Sequence, residues 1–79
     1  MATVRYFAAA RAAAGCTEET LDAASVDELV VVAGAQHGER LALVLKACSF
    51  LVDGLACRDG ATPLRPGSTV DVLPPFAGG

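Results

Sequence analysis

Along the chain the spacing of apolar and polar positions changes rhythm several times, and each change marks an element. Thr3-Val4-Arg5-Tyr6-Phe7 alternates with the two-residue period of a strand, placing Val4 and Tyr6 on one face and Arg5 and Phe7 on the other. An alanine-rich stretch ends at Gly15. Glu18-Glu19-Thr20-Leu21-Asp22 then predicts a second, weaker strand, and the two together read as an opening hairpin. From Ser25 the period lengthens. Ser25-Val26-Asp27-Glu28 has the spacing of a capping box, in which the Ser25 hydroxyl accepts from the Glu28 N–H and the Glu28 carboxylate returns the bond. Val26, Leu29, Val30 and Ala33 follow at i, i+3, i+4 and i+7 as one apolar stripe. The run Val30-Val31-Val32 and Gly34 are poor helix formers, so packing against the rest of the fold must hold this helix.

Gly38 suits the position just past the end of that helix. Leu41, Val44, Leu45 and Cys48 repeat the helical stripe and predict a second, short helix with Lys46 near its C-terminal end. Residues 49–53 return to strand composition, Asp53-Gly54 is a turn pair, and Ala56-Cys57-Arg58 predicts a short edge strand closed by Asp59-Gly60. A turn-rich connector, Pro63-Leu64-Arg65-Pro66-Gly67, leads to a final strand over residues 68–73 with Val70 and Val72 inward and Asp71 and Leu73 outward. Two strands, a helix, then two or three strands predict an α+β fold: a sheet of four to five strands with the main helix on one face. The first and last strands are the most apolar of their halves and are expected side by side at the sheet's centre. Residues 1–73 form the expected domain and residues 74–79 an extended tail.

Composition narrows what such a domain does. Seventy-nine residues make one domain, which buries roughly 60% of its unfolded surface and leaves no room for a cleft between domains. Six basic against nine acidic residues give a net charge of −3, the wrong sign for gripping a phosphate backbone, so nucleic acid is not an expected partner. The longest uncharged apolar run, residues 29–35, falls far short of the roughly 20 residues a membrane span needs. A charge interrupts the alanine patch at Arg11, against a signal peptide, and a cytoplasmic location is the expectation.

Candidate chemistry within the domain is sparse. Three cysteines, Cys16, Cys48 and Cys57, form no C-x-x-C pair, and the single His37 does not complete a zinc tetrad with such scattered thiols, so no metal site is expected. The thiols read as small reduced hydrophobes without the flanking basic cluster that activates a cysteine. His37 reads as a solvated cap at a helix end, and Arg11 as a surface or interface charge. No Ser/His/Asp arrangement, paired catalytic carboxylates or Gly-rich phosphate loop is present.

The tail is more telling. Pro74-Pro75 cannot donate to a ladder, so it ends the last strand, and the fixed φ of each ring favours an extended exit. After Phe76, Ala77-Gly78-Gly79 is a thin, permissive peptide suited to a channel too narrow for branched side chains. That shape suits delivery of a terminal carboxylate into another protein's active site.

Taken in order, Val4-Arg5-Tyr6-Phe7-Ala8-Ala9-Ala10-Arg11 with Gly15, then Leu64, Gly67 and Val70, then Val72-Leu73-Pro74-Pro75-Phe76-Ala77-Gly78-Gly79, resemble the MoaD/ThiS family of ubiquitin-like sulfur carriers. The likeness spans essentially the whole chain and is nearest to the MoaD branch, the small subunits of molybdopterin synthase. It departs from the family pattern at Ala12, Asp53, Pro66-Gly67-Ser68 and Phe76, none of which touches the terminal glycines.

The resemblance implies a ubiquitin-like β-grasp fold and a carrier whose catalysis belongs to its partners. A MoeB-like activating enzyme would use ATP to adenylate Gly79, beside Gly78, and a sulfur donor would convert it to a thiocarboxylate. A MoaE-like large subunit would then use that sulfur on a pterin precursor in molybdenum cofactor synthesis. The chain itself would bind no cofactor. Phe7, Leu73, Pro75, Phe76 and Ala77 are the expected partner contacts. A carrier for thiamine thiazole or cysteine synthesis would share this tail and its activation. A ubiquitin-like modifier would instead join Gly79 to lysines of other proteins.

Overall fold

The computed structural model describes residues 1–75. Eight elements follow one another: β1 (Ala2–Tyr6), α1 (Ala8–Ala14), β2 (Glu18–Leu21), α2 (Val26–His37), α3 (Glu39–Leu45), β3 (Ser49–Val52), β4 (Leu55–Ala56) and β5 (Thr69–Leu73). The strands form one sheet in the order β2-β1-β5-β3-β4. β1 and β5 pair in parallel at its centre, with Val4 opposite Val70 and Tyr6 opposite Val72, while every other neighbouring pair is antiparallel. A parallel pair cannot be closed by a tight turn, so the rest of the chain must cross over between them, and its helices do so. This is the α+β, β-grasp arrangement of a ubiquitin-like fold.

Alternation in β1 and β5 decides what is inside. Val4, Tyr6, Val70 and Val72 point to the helices and are fully buried with Leu29, Leu41 and Leu45. Arg5 and Asp71, opposite each other in register, take the outer face, where the guanidinium fork meets the carboxylate through Nε at 2.6 Å and Nη2 at 2.8 Å. The Asp71 hydrogen bond, and then its charge, hold Arg5 above its already high ordinary range.

α2 starts where the capping spacing placed it, with Ser25 Oγ accepting from the Glu28 N–H at 3.1 Å. Its Val26, Leu29 and Ala33 are buried. Gly34, a poor helix former, has a packing role: a Cβ there would lie 3.2 Å from the Ala42 Cβ, so its absence lets α2 and α3 approach closely. Gly38, at φ 103°, returns its N–H to the Gly34 carbonyl at 2.8 Å and turns the chain directly into α3. Asp53 and Gly54 both have positive φ, as the two-residue turn joining β3 to β4 demands, and the Asp53 carboxylate accepts from the Thr69 N–H at 2.9 Å.

Several sequence expectations need correction. The alanine patch is a helix: α1 intervenes between β1 and β2, which pair antiparallel but are not a tight hairpin. Ala10 is its buried contact, Gly15 closes it at φ 76°, and small side chains let it lie close to the sheet. The edge strand is Leu55–Ala56, so Cys57 and Arg58 fall outside it. Cys48 lies beyond α3, which ends at Leu45. Phe7 has left the strand to cap α1, with extended φ and ψ.

Candidate functional site

Where β5 runs out, the outer face of the sheet and the start of α1 form a cleft of about 300 Å³ lined by Phe7, Ala8, Arg11, Leu73 and Pro74. Each wall has a local cause. Phe7 donates its N–H to the Val72 carbonyl at 3.3 Å, which carries β1's pairing with β5 one residue past the strand. Its own carbonyl accepts from the N–H groups of Ala10 and Arg11 at 3.0 and 3.4 Å, so the turn into α1 is fixed at both ends. The turn forces Ala8 to φ 49°, a conformation that a residue with a Cβ adopts at a cost.

The Phe7 ring is exposed at this rim, with the Arg5 guanidinium carbon 5.9 Å from its centroid. Leu73, half-buried, lies on the same outward side as Asp71, so the two apolar residues that alternation placed together do share one cleft. Arg11 on α1 gives the cleft a positive edge. It is an apolar surface with one cation, placed where the chain leaves the sheet. A larger concavity of about 390 Å³ lies beside the β3–β4 hairpin, lined by residues such as Leu55, Cys57, Arg58 and Arg65, but it borders neither Leu73 nor Pro74.

Of the expected contact and reaction residues, Phe7 and Leu73 line the cleft, and Pro75 is exposed just beyond it. Phe76, Ala77, Gly78 and Gly79 lie outside the described residues. Sequence reasoning missed Ala8 as a wall and the Arg5–Asp71 fork that braces the outer face. The alanine spacing, with Gly15 after it, was the available signal for α1.

Away from the cleft, at the edge of the sheet, a polar cluster corrects the reading of His37 as solvated. Its side chain, like that of Glu19, is only 16% exposed, and His37 Nε2 bonds Glu19 Oε2. Tyr6, fully buried, donates its hydroxyl to the same oxygen at 2.7 Å, and Gln36 Nε2 donates to Glu19 Oε1 at 2.7 Å. The Tyr6 and His37 rings meet edge to face, 6.0 Å between centroids. Burial first, then the bond to Glu19, pushes the Tyr6 hydroxyl well above its ordinary pKa. Burial and then the Glu19 charge push the Cys16 thiol up, and burial does the same to Cys48, the opposite direction from the lowering that activates a cysteine. No helix among the described residues is long and apolar enough to cross a membrane.

A small mixed sheet gripping α2, with a cleft where its central strand runs out, defines the class as a ubiquitin-like β-grasp domain. The ThiS family model matches residues 4–79, and the chain belongs to that family. Among solved structures it is similar to small archaeal modifier protein 1 of Haloferax volcanii, at 20% identity over 99% of this chain and 98% of that one with a TM-score of 0.79. It is also similar to a putative molybdopterin converting factor subunit 1 from Pyrococcus furiosus, at 24% identity, 95% and 97% coverage and a TM-score of 0.78. A third likeness, at 26% identity, 99% and 97% coverage and a TM-score of 0.72, is to a chain in the complex of subunits 1 and 2 of molybdopterin-converting factor from Helicobacter pylori. No curated protein matches the chain.

Proposed function

We propose that this chain is a sulfur carrier, the small subunit of a molybdopterin synthase, whose Gly79 carboxylate is the cargo site. The observation that carries the reading is the ThiS family match, which runs through Gly78 and Gly79. The molybdopterin branch rests on the likeness to the Helicobacter pylori complex.

The chemistry follows from what a carboxylate lacks. It is a poor acyl donor because its leaving group would be oxide. Attack of a Gly79 carboxylate oxygen on the α-phosphorus of ATP, held by a MoeB-like enzyme, expels pyrophosphate and leaves an acyl-adenylate. A sulfide-equivalent donor then attacks the carbonyl carbon and AMP departs, leaving a thiocarboxylate. Ionised at neutral pH, its sulfur attacks an electrophilic carbon of a pterin precursor within a MoaE-like large subunit. Hydrolysis of the resulting acyl linkage returns the Gly79 carboxylate and leaves sulfur on the pterin. The chain's own work is positional: the Phe7–Leu73 cleft docks the large subunit and Arg11 meets an acidic group on it. ATP is used by the activating enzyme and not held by this chain.

A second reading, a protein modifier joined through Gly79 to lysines, is favoured by the likeness to small archaeal modifier protein 1. A carrier for thiazole or cysteine synthesis would use the same activation. Intact mass of the protein from its native cells separates them. Replacement of one oxygen by sulfur at Gly79 supports a carrier, and co-purification of the pterin-acting subunit selects the molybdopterin branch. A lysine-linked Gly-Gly remnant with no thiocarboxylate overturns the carrier reading in favour of the modifier.

A further inference from the structure

The fold brings together three metal-ligating side chains that the sequence scatters. Cys16 lies in the turn after α1, Glu19 in β2 and His37 at the last position of α2. Their ligand atoms, a thiol sulfur, a carboxylate oxygen and an imidazole nitrogen, all lie within 4.8 Å of one another. We propose that Cys16, Glu19 and His37 form a zinc site, with water as the fourth ligand. This site stands apart from the sulfur chemistry, since none of the three lines the Phe7–Leu73 cleft.

The geometry needs little adjustment. Zinc holds sulfur at about 2.3 Å and nitrogen or oxygen at about 2.0–2.2 Å, which in a tetrahedron sets neighbouring ligand atoms about 3.3–3.6 Å apart. Side-chain rotation brings Cys16 Sγ in by about 1 Å from within 4.8 Å of the other two ligand atoms, and the direct His37 Nε2–Glu19 Oε2 bond opens as the ion takes its place between them. The donor set selects the metal: a thiolate and an imidazole suit zinc and disfavour magnesium or calcium, which take oxygen ligands. Thiolate and carboxylate together neutralise the dication.

Surrounding groups are arranged as a supporting shell. The Tyr6 hydroxyl and the Gln36 amide, each at 2.7 Å, bond the two Glu19 oxygens and fix the carboxylate's orientation, the role outer partners play for metal-bound carboxylates. Glu19 and His37 are 16% exposed, sheltered yet open enough to admit an ion and a water. A plain ion pair accounts for Glu19 and His37 and core packing accounts for the burial of Cys16, but neither requires that the thiol sulfur meet the carboxylate and the imidazole at one point.

The test uses the full chain, reduced and metal-free, titrated with Co(II) as a spectroscopic probe and then with Zn(II). One equivalent of Co(II) should bring up a near-ultraviolet thiolate charge-transfer band with tetrahedral visible bands, and Zn(II) should displace both. Cys16→Ser should abolish the charge-transfer band, while Cys48→Ser and Cys57→Ser keep it. His37→Gln should weaken zinc binding at least tenfold, and Gln36→Ala by about tenfold through the outer shell. Should Cys16→Ser fail to fold, the native protein still decides, because His37 is the chain's single histidine and its ring signals must shift to a one-equivalent endpoint with Zn(II). Absence of the band in the native chain, its survival in folded Cys16→Ser, or unmoved His37 signals overturns the proposal.

Discussion

Replacing Tyr6 by phenylalanine isolates one buried hydroxyl, and its effect has a distinctive pH dependence. The ring stays in place, fully buried in the core, and only the hydrogen bond to Glu19 Oε2 at 2.7 Å is lost. A hydrogen bond to a charged acceptor contributes about 1.5–3 kcal/mol. Glu19 keeps its bonds to Gln36 and His37, so the lower end applies, and Tyr6→Phe should cost about 1.5 kcal/mol at pH 7.

Above neutrality the difference shrinks. In the unfolded chain the phenol ionises near its ordinary pKa of about 10, whereas in the fold burial and the Glu19 carboxylate hold the proton on to higher pH. The folded state then binds more protons than the unfolded one, so stability falls as pH rises through the unfolded value. A single group contributes a slope of about 1.4 kcal/mol per pH unit in that window. Urea melts of both proteins at pH 7, and at intervals from about pH 9.5 to 11.5, should show the native chain losing stability faster than Tyr6→Phe. Groups common to both cancel in the comparison. Parallel curves across that range would refute the coupling of this hydroxyl to Glu19.

Four further outcomes follow from the geometry. Leu73→Asp should leave the fold intact and weaken large-subunit binding by about 2 kcal/mol, roughly thirtyfold in Kd by titration calorimetry, because it puts a charge in the apolar cleft. Deleting Gly79 shortens the reach by about 3.5 Å and should abolish ATP–pyrophosphate exchange with the activating enzyme while leaving Tm unchanged, since the last strand ends at Leu73. Gly34→Ala should be nearly neutral, its gain in helix propensity offsetting the 3.2 Å contact with Ala42, whereas Gly34→Val should cost about 1–3 kcal/mol in a denaturant melt by forcing α2 from α3. Ala8→Gly should raise stability by about 1 kcal/mol in the same assay by relieving the positive φ at the cleft.

Local chemistry was legible wherever a residue's role depends on its immediate neighbours. The Ser25 cap, the Asp53-Gly54 turn and the inward facing of Val4, Tyr6, Val70 and Val72 all follow from short-range geometry, and the structure keeps each of them. Apolarity also put β1 and β5 at the sheet's centre, because a central strand is covered on both edges. From these the α+β class and the shared side of Phe7 and Leu73 could be read.

The alanine patch was opaque for a physical reason. Seven residues are too few to form a helix on intrinsic propensity, so α1 exists only because Phe7 and Gly15 fix its ends and Ala10 packs in the core. The pairings across long sequence separations were equally hidden. Arg5 with Asp71, Gly34 with Ala42, and Cys16 and Glu19 with His37 depend on strand register and on where α2 lies over the sheet, which no local pattern specifies. In the sequence His37 was a polar residue at a helix end; the crossover from β1 to β5 brings that end onto the edge strand, and there it becomes a half-buried partner of Glu19.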